Sequence, residues 1–254
     1  MKITLSVELE VINVINLFRI EVYKLFQSKS FWIIFFISTF IGVTIPLDGY
    51  GYITQYENVG ASFYNTCLLM IFPILLGSLS FGNDFIDRTI NNAVCAGHSR
   101  AKIFICKVLA YLIGVNIVLL SSPIISIIAN NAFHRYTSHN LMSNGNVLVK
   151  TFLVTSLLGM AISSISVFIT FIFKDIGKSV GFSTLVYLMN VVLLNSTRNI
   201  MENSFKVLPL AQMRLILYRP IVPNQFEKAA LIGFITIVLF LTASYLCFKK
   251  SELH

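Results

Sequence analysis

Charge is what this chain has least of. Only 12% of its 254 residues are Asp, Glu, Lys or Arg, while 56% are hydrophobic. Soluble domains carry about 25% charged and about 45–50% apolar residues. So little polar surface excludes an ordinary soluble enzyme, and so much apolar sequence excludes a disordered chain. Carboxylates are scarcer still: 11 against 19 Lys and Arg, a net charge of +8. In a membrane chain such an excess marks the cytoplasmic loops, so no nucleic-acid partner is implied. The four cysteines, Cys67, Cys95, Cys106 and Cys247, form no C-x-x-C pair. Neither a disulfide framework nor a zinc site is expected, and they read as small buried hydrophobes. The histidines form no H-E-x-x-H, and there is no G-x-S-x-G, so neither a metal nor a hydrolase site is expected. Gly177-Lys178-Ser179 ends like a P-loop, but Ile172 stands where the first glycine must be. A helix-capping turn is the better reading, and any ATP must be bound by another subunit. No signal peptide is expected, because Glu8, Glu10, Arg19, Glu21 and Lys24 precede the first apolar block.

What the chain has is apolar blocks. Six spans are expected, at about 31–47, 61–81, 103–129, 152–173, 179–194 and 229–248. Most approach the roughly 20 residues a helix needs to cross about 30 Å of hydrocarbon. Continuous blocks without alternation exclude a barrel and leave helices as the way to satisfy the backbone in lipid. The fold class is therefore an all-α membrane protein, one transmembrane domain over 1–254. With the N-terminus inside, the inner segments 1–30, 82–107, 174–178 and 249–254 hold twelve Lys and Arg. The outer segments 48–60, 130–150 and 195–228, almost equal in length, hold seven. Both termini are then cytoplasmic.

Before the first span, Val11, Val14, Ile15, Phe18, Val22, Leu25 and Phe26 recur at spacings of three and four, with Arg19, Glu21, Lys24 and Lys29 elsewhere. That pattern predicts an amphipathic helix over 1–30 at the membrane interface. It is either a plain surface anchor or a link from cytoplasmic machinery to the first span. The loop 130–150 is rich in Asn and Ser and reads as a solvated turn. Segment 195–228 mixes Pro209, Pro220 and Pro223 with apolar patches, and is expected to be an outer re-entrant or interfacial loop. All eleven carboxylates fall outside the six spans, which disfavours ion-coupled transport. Lys107, about one turn into the third span, is expected to snorkel to the surface. Asn65, Asn116 and Asn190 break the apolar runs and read as helix–helix hydrogen bonds.

The segment 82–107 is the most informative. As a helix over 83–97 it sets Ile86, Ile90, Ala93 and Val94 on one face and Asp84, Asp87, Arg88, Asn91 and Cys95 on the other. Asp84 and Arg88 have the spacing of an acid–base pair. Gly97 is placed to end the helix in a left-handed conformation, and Ser99 to cap the third span. Asp84, Thr89, Gly97-His98-Ser99-Arg100 and Lys107 together resemble a pattern of the integral-membrane permease subunits of type-2 ABC exporters: an acid, a Thr, a turn with Ser-Arg, then a Lys. Arg88 stands where glycine often precedes the threonine. The stretch from Asn16 to Trp32 also resembles that family's first helix. The likeness is to small Gram-positive permeases of bacitracin-resistance, lantibiotic-immunity and peptide-export systems.

The resemblance implies a non-catalytic transport subunit in the cell membrane of a bacterium. A coupling helix over 83–97 sits on a soluble ABC ATPase, two copies of which bind ATP and Mg. A second permease chain, identical or similar, completes the pathway. Asp84, Asp87, Arg88 and Asn91 are then the expected transmission surface. Thr89, Gly97, Ser99, Arg100 and Lys107 shape the motif and anchor the third span at the inner leaflet, and Arg19, Glu21 and Lys24 belong to the interfacial helix. The expected cargo is hydrophobic or amphipathic, such as an antimicrobial peptide, a peptide toxin or a drug. An ATP-independent channel or membrane scaffold is the alternative, since this chain has no nucleotide site of its own.

Overall fold

The computed structural model describes residues 2–49, 63, 66–132, 145–195, 204–216 and 224–250, and side chains within 14–41, 63, 66–128, 148–195, 205–216 and 224–250. Most of the 130–150 loop, and Asn65, Arg198, Arg219, Pro220 and Pro223, lie outside the described residues. Among the described residues the order is α1 (Lys2–Gln27), α2 (Lys29–Gly49), α3 (Thr66–Leu69), α4 (Ile71–Ile86), α5 (Thr89–Cys95), α6 (Arg100–Ala132), α7 (Gly145–Phe173), α8 (Ile176–Asn195), a 3₁₀ turn (Ser204–Val207), α9 (Pro209–Leu215) and α10 (Gln225–Lys250). No strand occurs among them.

Five stretches are long and apolar enough to cross a membrane: Thr66–Ile86, Arg100–Ile128, Leu148–Phe173, Ile176–Asn195 and Gln225–Lys250. The chain is an all-α membrane protein. α2 adds a shorter apolar helix over Lys29–Ile41. Helix ends run beyond the expected spans. The second continues to Ile86 rather than 81, and the fifth covers 20 residues rather than a short 179–194. Polar flanking turns stay helical because the backbone bonds do not depend on hydropathy. The break between α3 and α4 falls at Met70, three residues before Pro73. A proline ring clashes with the carbonyl four residues back, here Leu69.

α4, α6 and α7 are mostly buried and form the centre, whereas α8 and α10 are mostly exposed. α1 and α2 pack on α6, α8 on α4 and α7, and α10 on α7. α1 is not a separate surface element. Leu17 meets Ile103 and Cys106, and Leu25 rests where Gly114 leaves no Cβ. Further along, Thr39 of α2 bonds Ser121 at 2.7 Å. α1 and α2 thus climb α6 in its own direction. At the centre, Gly77 lets α4 touch α6 and α7: an added Cβ would lie 2.5 Å from the Tyr111 hydroxyl and 2.8 Å from Ser166 Oγ. Tyr111 donates to the Pro73 carbonyl (2.9 Å) and Ser166 to that of Ile74 (3.0 Å). Small residues admitting close contact, with hydroxyls bridging helices, are how bundles hold together in lipid.

Two cores stack along the bundle. One gathers Phe63, Met70, Leu119, Leu158, Tyr187, Leu210 and Met213. The other gathers Leu25, Phe81, Ile90, Phe104, Tyr111, Phe171 and Phe248. The second marks the end where α4 stops, α6 starts, α7 turns into α8, and α10 finishes. Arg100 Nη1 donates there to the Lys249 carbonyl at 3.0 Å, which joins a cation to a helix C-terminus. Segments 82–107, 174–178 and residues 249–250 therefore share one end of the bundle, whereas α1, expected at the interface, runs alongside α6 as far as Gly114. At the opposite end the expected re-entrant segment is represented by residues 204–216. α9, opened by Pro209, buries Leu210, Ala211, Gln212 and Met213 against the bundle. Gln212 accepts from Gln225 Nε2 at 2.8 Å, and Arg214 reaches Asn195 at 2.7 Å.

Candidate functional site

The end that gathers α1, α4, α5 and α6 also carries the densest polar chemistry among the described residues. Lys107 lies seven residues into α6, about 10 Å along an axis of about 50 Å. Its side chain is only 3% exposed. It does not snorkel. Nζ donates to Asp84 Oδ2 at 2.5 Å and to Glu21 Oε2 at 3.0 Å. Thr89 Oγ1 donates to the other Asp84 oxygen, Oδ1, at 2.5 Å. Lys24 stands 3.5 Å from Glu21 Oε1. One ammonium thus ties together α1, α4 and α6, and the Thr89 hydroxyl adds α5.

Three sequence expectations change here. Asp84 does not pair with Arg88 or face outward. α4 continues past 81, so Asp84 occupies its last turn and points at Lys107. Glu21 does not lie off the apolar face of α1, because the packed stripe is Val14, Leu17, Phe18, Val22 and Leu25 with Glu21 among them. Nor is 83–97 one helix. It breaks at Asp87–Arg88, where Arg88 is left-handed at φ 53°. The break follows from the hydrogen bonds: Arg88 N–H bonds the Phe85 carbonyl, and the Thr89 hydroxyl folds back onto Asp84. It also rotates Ile86 outward, 59% exposed, whereas Ile90 stays buried at 1%.

The remaining site residues sit close to expectation. Asp87 and Arg88 are exposed, Asn91 is half-buried, and Ala93 and Val94 pack toward α1 and α6. Gly97 is left-handed at φ +88°. Ser99 Oγ accepts the Lys102 N–H at 3.4 Å and caps α6. Arg100 is held by α10 as described, and Arg19 is exposed. The capping turn expected near Gly177-Lys178-Ser179 is supplied by Asp175, whose Oδ1 accepts the Lys178 N–H at 2.9 Å. Asn116 takes the Ser156 hydroxyl at 2.5 Å across α6 and α7, as expected, whereas Asn190 bonds its own helix at Val186.

A polar cavity of about 250 Å³ lies over this network, lined by Glu21, Lys24, Asn83, Asp84, Asp87 and Lys107 among others. Asp87 is exposed in the turn before α5, so the buried ion pair and that turn share one space. No group of His, Cys, Asp and Glu among the described residues could hold a metal ion. The missed contact was Glu21 with Lys107. Its signal was an acid inside an apolar stripe and a base inside an apolar span, each needing the other.

The fold and these helices define a membrane-embedded helical bundle with an ion-paired cluster at one end. No protein-family model matches the chain, and no curated protein sequence matches it.

Proposed function

We propose that this chain is the transmembrane permease subunit of an ATP-driven ABC exporter, coupled to a separate ATPase. The observation that carries the reading is α5. It is a seven-residue helix between two membrane-crossing helices, bounded by Arg88 and Gly97, both left-handed. Ile90 anchors it in the bundle while Asp87 and Arg88 are offered outward. A push on that face reaches Asp84 through Thr89, and from Asp84 the ion pair with Lys107 carries it to α6 and, through Glu21, to α1. Transmission of this kind requires an element with two discrete arrangements, and in this reading α5 with its ion-paired support is that element. In this reading the positive end of the bundle is cytoplasmic, α5 rests on an ABC ATPase present in two copies, and ATP with Mg is bound there. The chain itself is not an enzyme. A second permease chain completes a dimer in the cell membrane of a Gram-positive bacterium. The cargo is hydrophobic or amphipathic, such as a lantibiotic-like antimicrobial peptide.

The test is the double variant Asp87→Ala, Arg88→Ala in vesicles with the ATPase. We expect the permease to fold and insert normally while transport-stimulated ATP turnover falls to the basal level. Unchanged stimulation in a correctly inserted double variant overturns α5 as the transmission surface.

A further inference from the structure

We propose that the cleft between α8 and α10 holds one hydrocarbon chain of a bilayer lipid. This cleft, about 240 Å³, is walled by α4, α7, α8, α9 and α10 and shares no lining residue with the cavity over the ion pair. Ile165 and Ile169 of α7 form its floor, Val186 of α8 and Phe240 of α10 its sides, and Leu208 and Pro209 one end. α8 and α10 both pack on α7, and the wedge between them is what α9 closes.

The occupant follows from what surrounds the mouth. The side walls are half-buried at Val186, Asn190, Thr236 and Phe240, so the cleft opens outward. Beside it on the outer faces stand Leu185, Leu188 and Val192 of α8 and Ile235, Val238 and Leu239 of α10, all exposed. In a membrane-embedded bundle those faces meet hydrocarbon, so the cleft is continuous with the lipid-facing surface rather than with water. Most of its polar side chains are already bonded within the bundle, Asn190 Nδ2 to the Val186 carbonyl at 2.7 Å among them. The hydroxyl protons of Ser166, Thr236 and Tyr187 already go to the carbonyls of Ile74 (3.0 Å), Ile232 (2.8 Å) and Cys67 (2.7 Å). Ser183 shares its bond with Ser78 at 3.3 Å. A resident water needs roughly two to four polar partners, and a space lined this way suits methylene groups instead. A headgroup charge finds no counter-charge among the lining residues, so only the tail enters. The transport reading is not needed for this site, and it can fail without touching the other.

The experiment uses the full chain in phosphatidylcholine vesicles doped with phosphatidylcholine carrying a photoactivatable diazirine at mid-chain. Adducts are mapped by mass spectrometry as the doped fraction rises. Labelling of the Ile165 and Val186 peptides is expected to saturate at low fraction and to fall on adding undoped lipid. Labelling around Leu239 should rise linearly, as for bulk lipid. Val186→Trp from one wall, and Thr236→Phe from the other, should each remove the saturable component several-fold and leave the linear one. Linear labelling throughout overturns the site. So does rapid reaction of an Ile165→Cys variant with a charged, membrane-impermeant thiol reagent, which would place water in the cleft. If both bulky variants fail to insert, the saturation curve of the parent chain and the thiol reaction still decide.

Discussion

Lys107→Met tests the ion-paired cluster directly. Methionine keeps the length and apolar stem of lysine and removes only the ammonium. Two carboxylates then lose the group that holds them 2.5 and 3.0 Å from one nitrogen. Their facing oxygens lie at most about 5.5 Å apart, and two unit charges at that range repel by about 3 kcal/mol at an effective dielectric of 20. The side chains of Glu21 and Asp84 are 10% and 16% exposed, so water screens little of this. Breaking a buried pair by removing one partner costs about 3–5 kcal/mol, a large share of the roughly 5–15 kcal/mol that holds a domain together. At about 2–4 °C per kcal/mol for a chain of this size, the melting midpoint should fall by roughly 6–20 °C. The assay is thermal unfolding of the detergent-purified protein. The triple variant Glu21→Gln, Asp84→Asn, Lys107→Met should recover most of the loss, because no unpaired charge remains buried; Lys24, which loses Glu21, is exposed to solvent. A Lys107→Met midpoint within about 2 °C of the parent refutes the buried ion pair. So does a triple variant no better than the single one.

Thr89→Val keeps the shape and deletes the hydroxyl donated to Asp84, and should cost about 1.5–3 kcal/mol by the same unfolding assay, as for a bond to a charged group. Gly77→Leu drives a side chain into the Tyr111 hydroxyl and Ser166. We expect overpacking of about 1–3 kcal/mol or more, read as lost monodispersity and a lower midpoint, and partly relieved when Tyr111→Phe is added. Gly97→Ala meets nothing within 4 Å, so it should cost only the left-handed strain of about 1 kcal/mol, and Gly97→Asn less. Equal midpoints for the glycine and alanine forms would remove that turn from the account.

The amphipathic α1, the left-handed Gly97 and the Ser99 cap were all legible, because each rests on neighbours a few residues apart. The interior Asn116 bridge was legible as well, since a polar amide in lipid has few other options. The break at Arg88 was not. Helical spacing ran smoothly through 83–97, and only the Thr89 hydroxyl, bonded back to Asp84, shows why the chain turns there. Leu17 and the buried role of α9 were hidden for a related reason: they depend on which helix lies opposite.

Hydropathy alone determined that this is a helical membrane protein, and the distribution of Lys and Arg favoured one end of the bundle, by twelve to seven. Burying apolar blocks in lipid leaves the backbone no other way to bond itself, and that requirement is local. The partners of Lys107 were decided only by packing. Glu21 lies 86 residues away and Asp84 23, on helices whose crossings depend on glycines such as Gly77 and Gly114. A buried ammonium must find an anion, but which anion is a matter of three helices meeting in space.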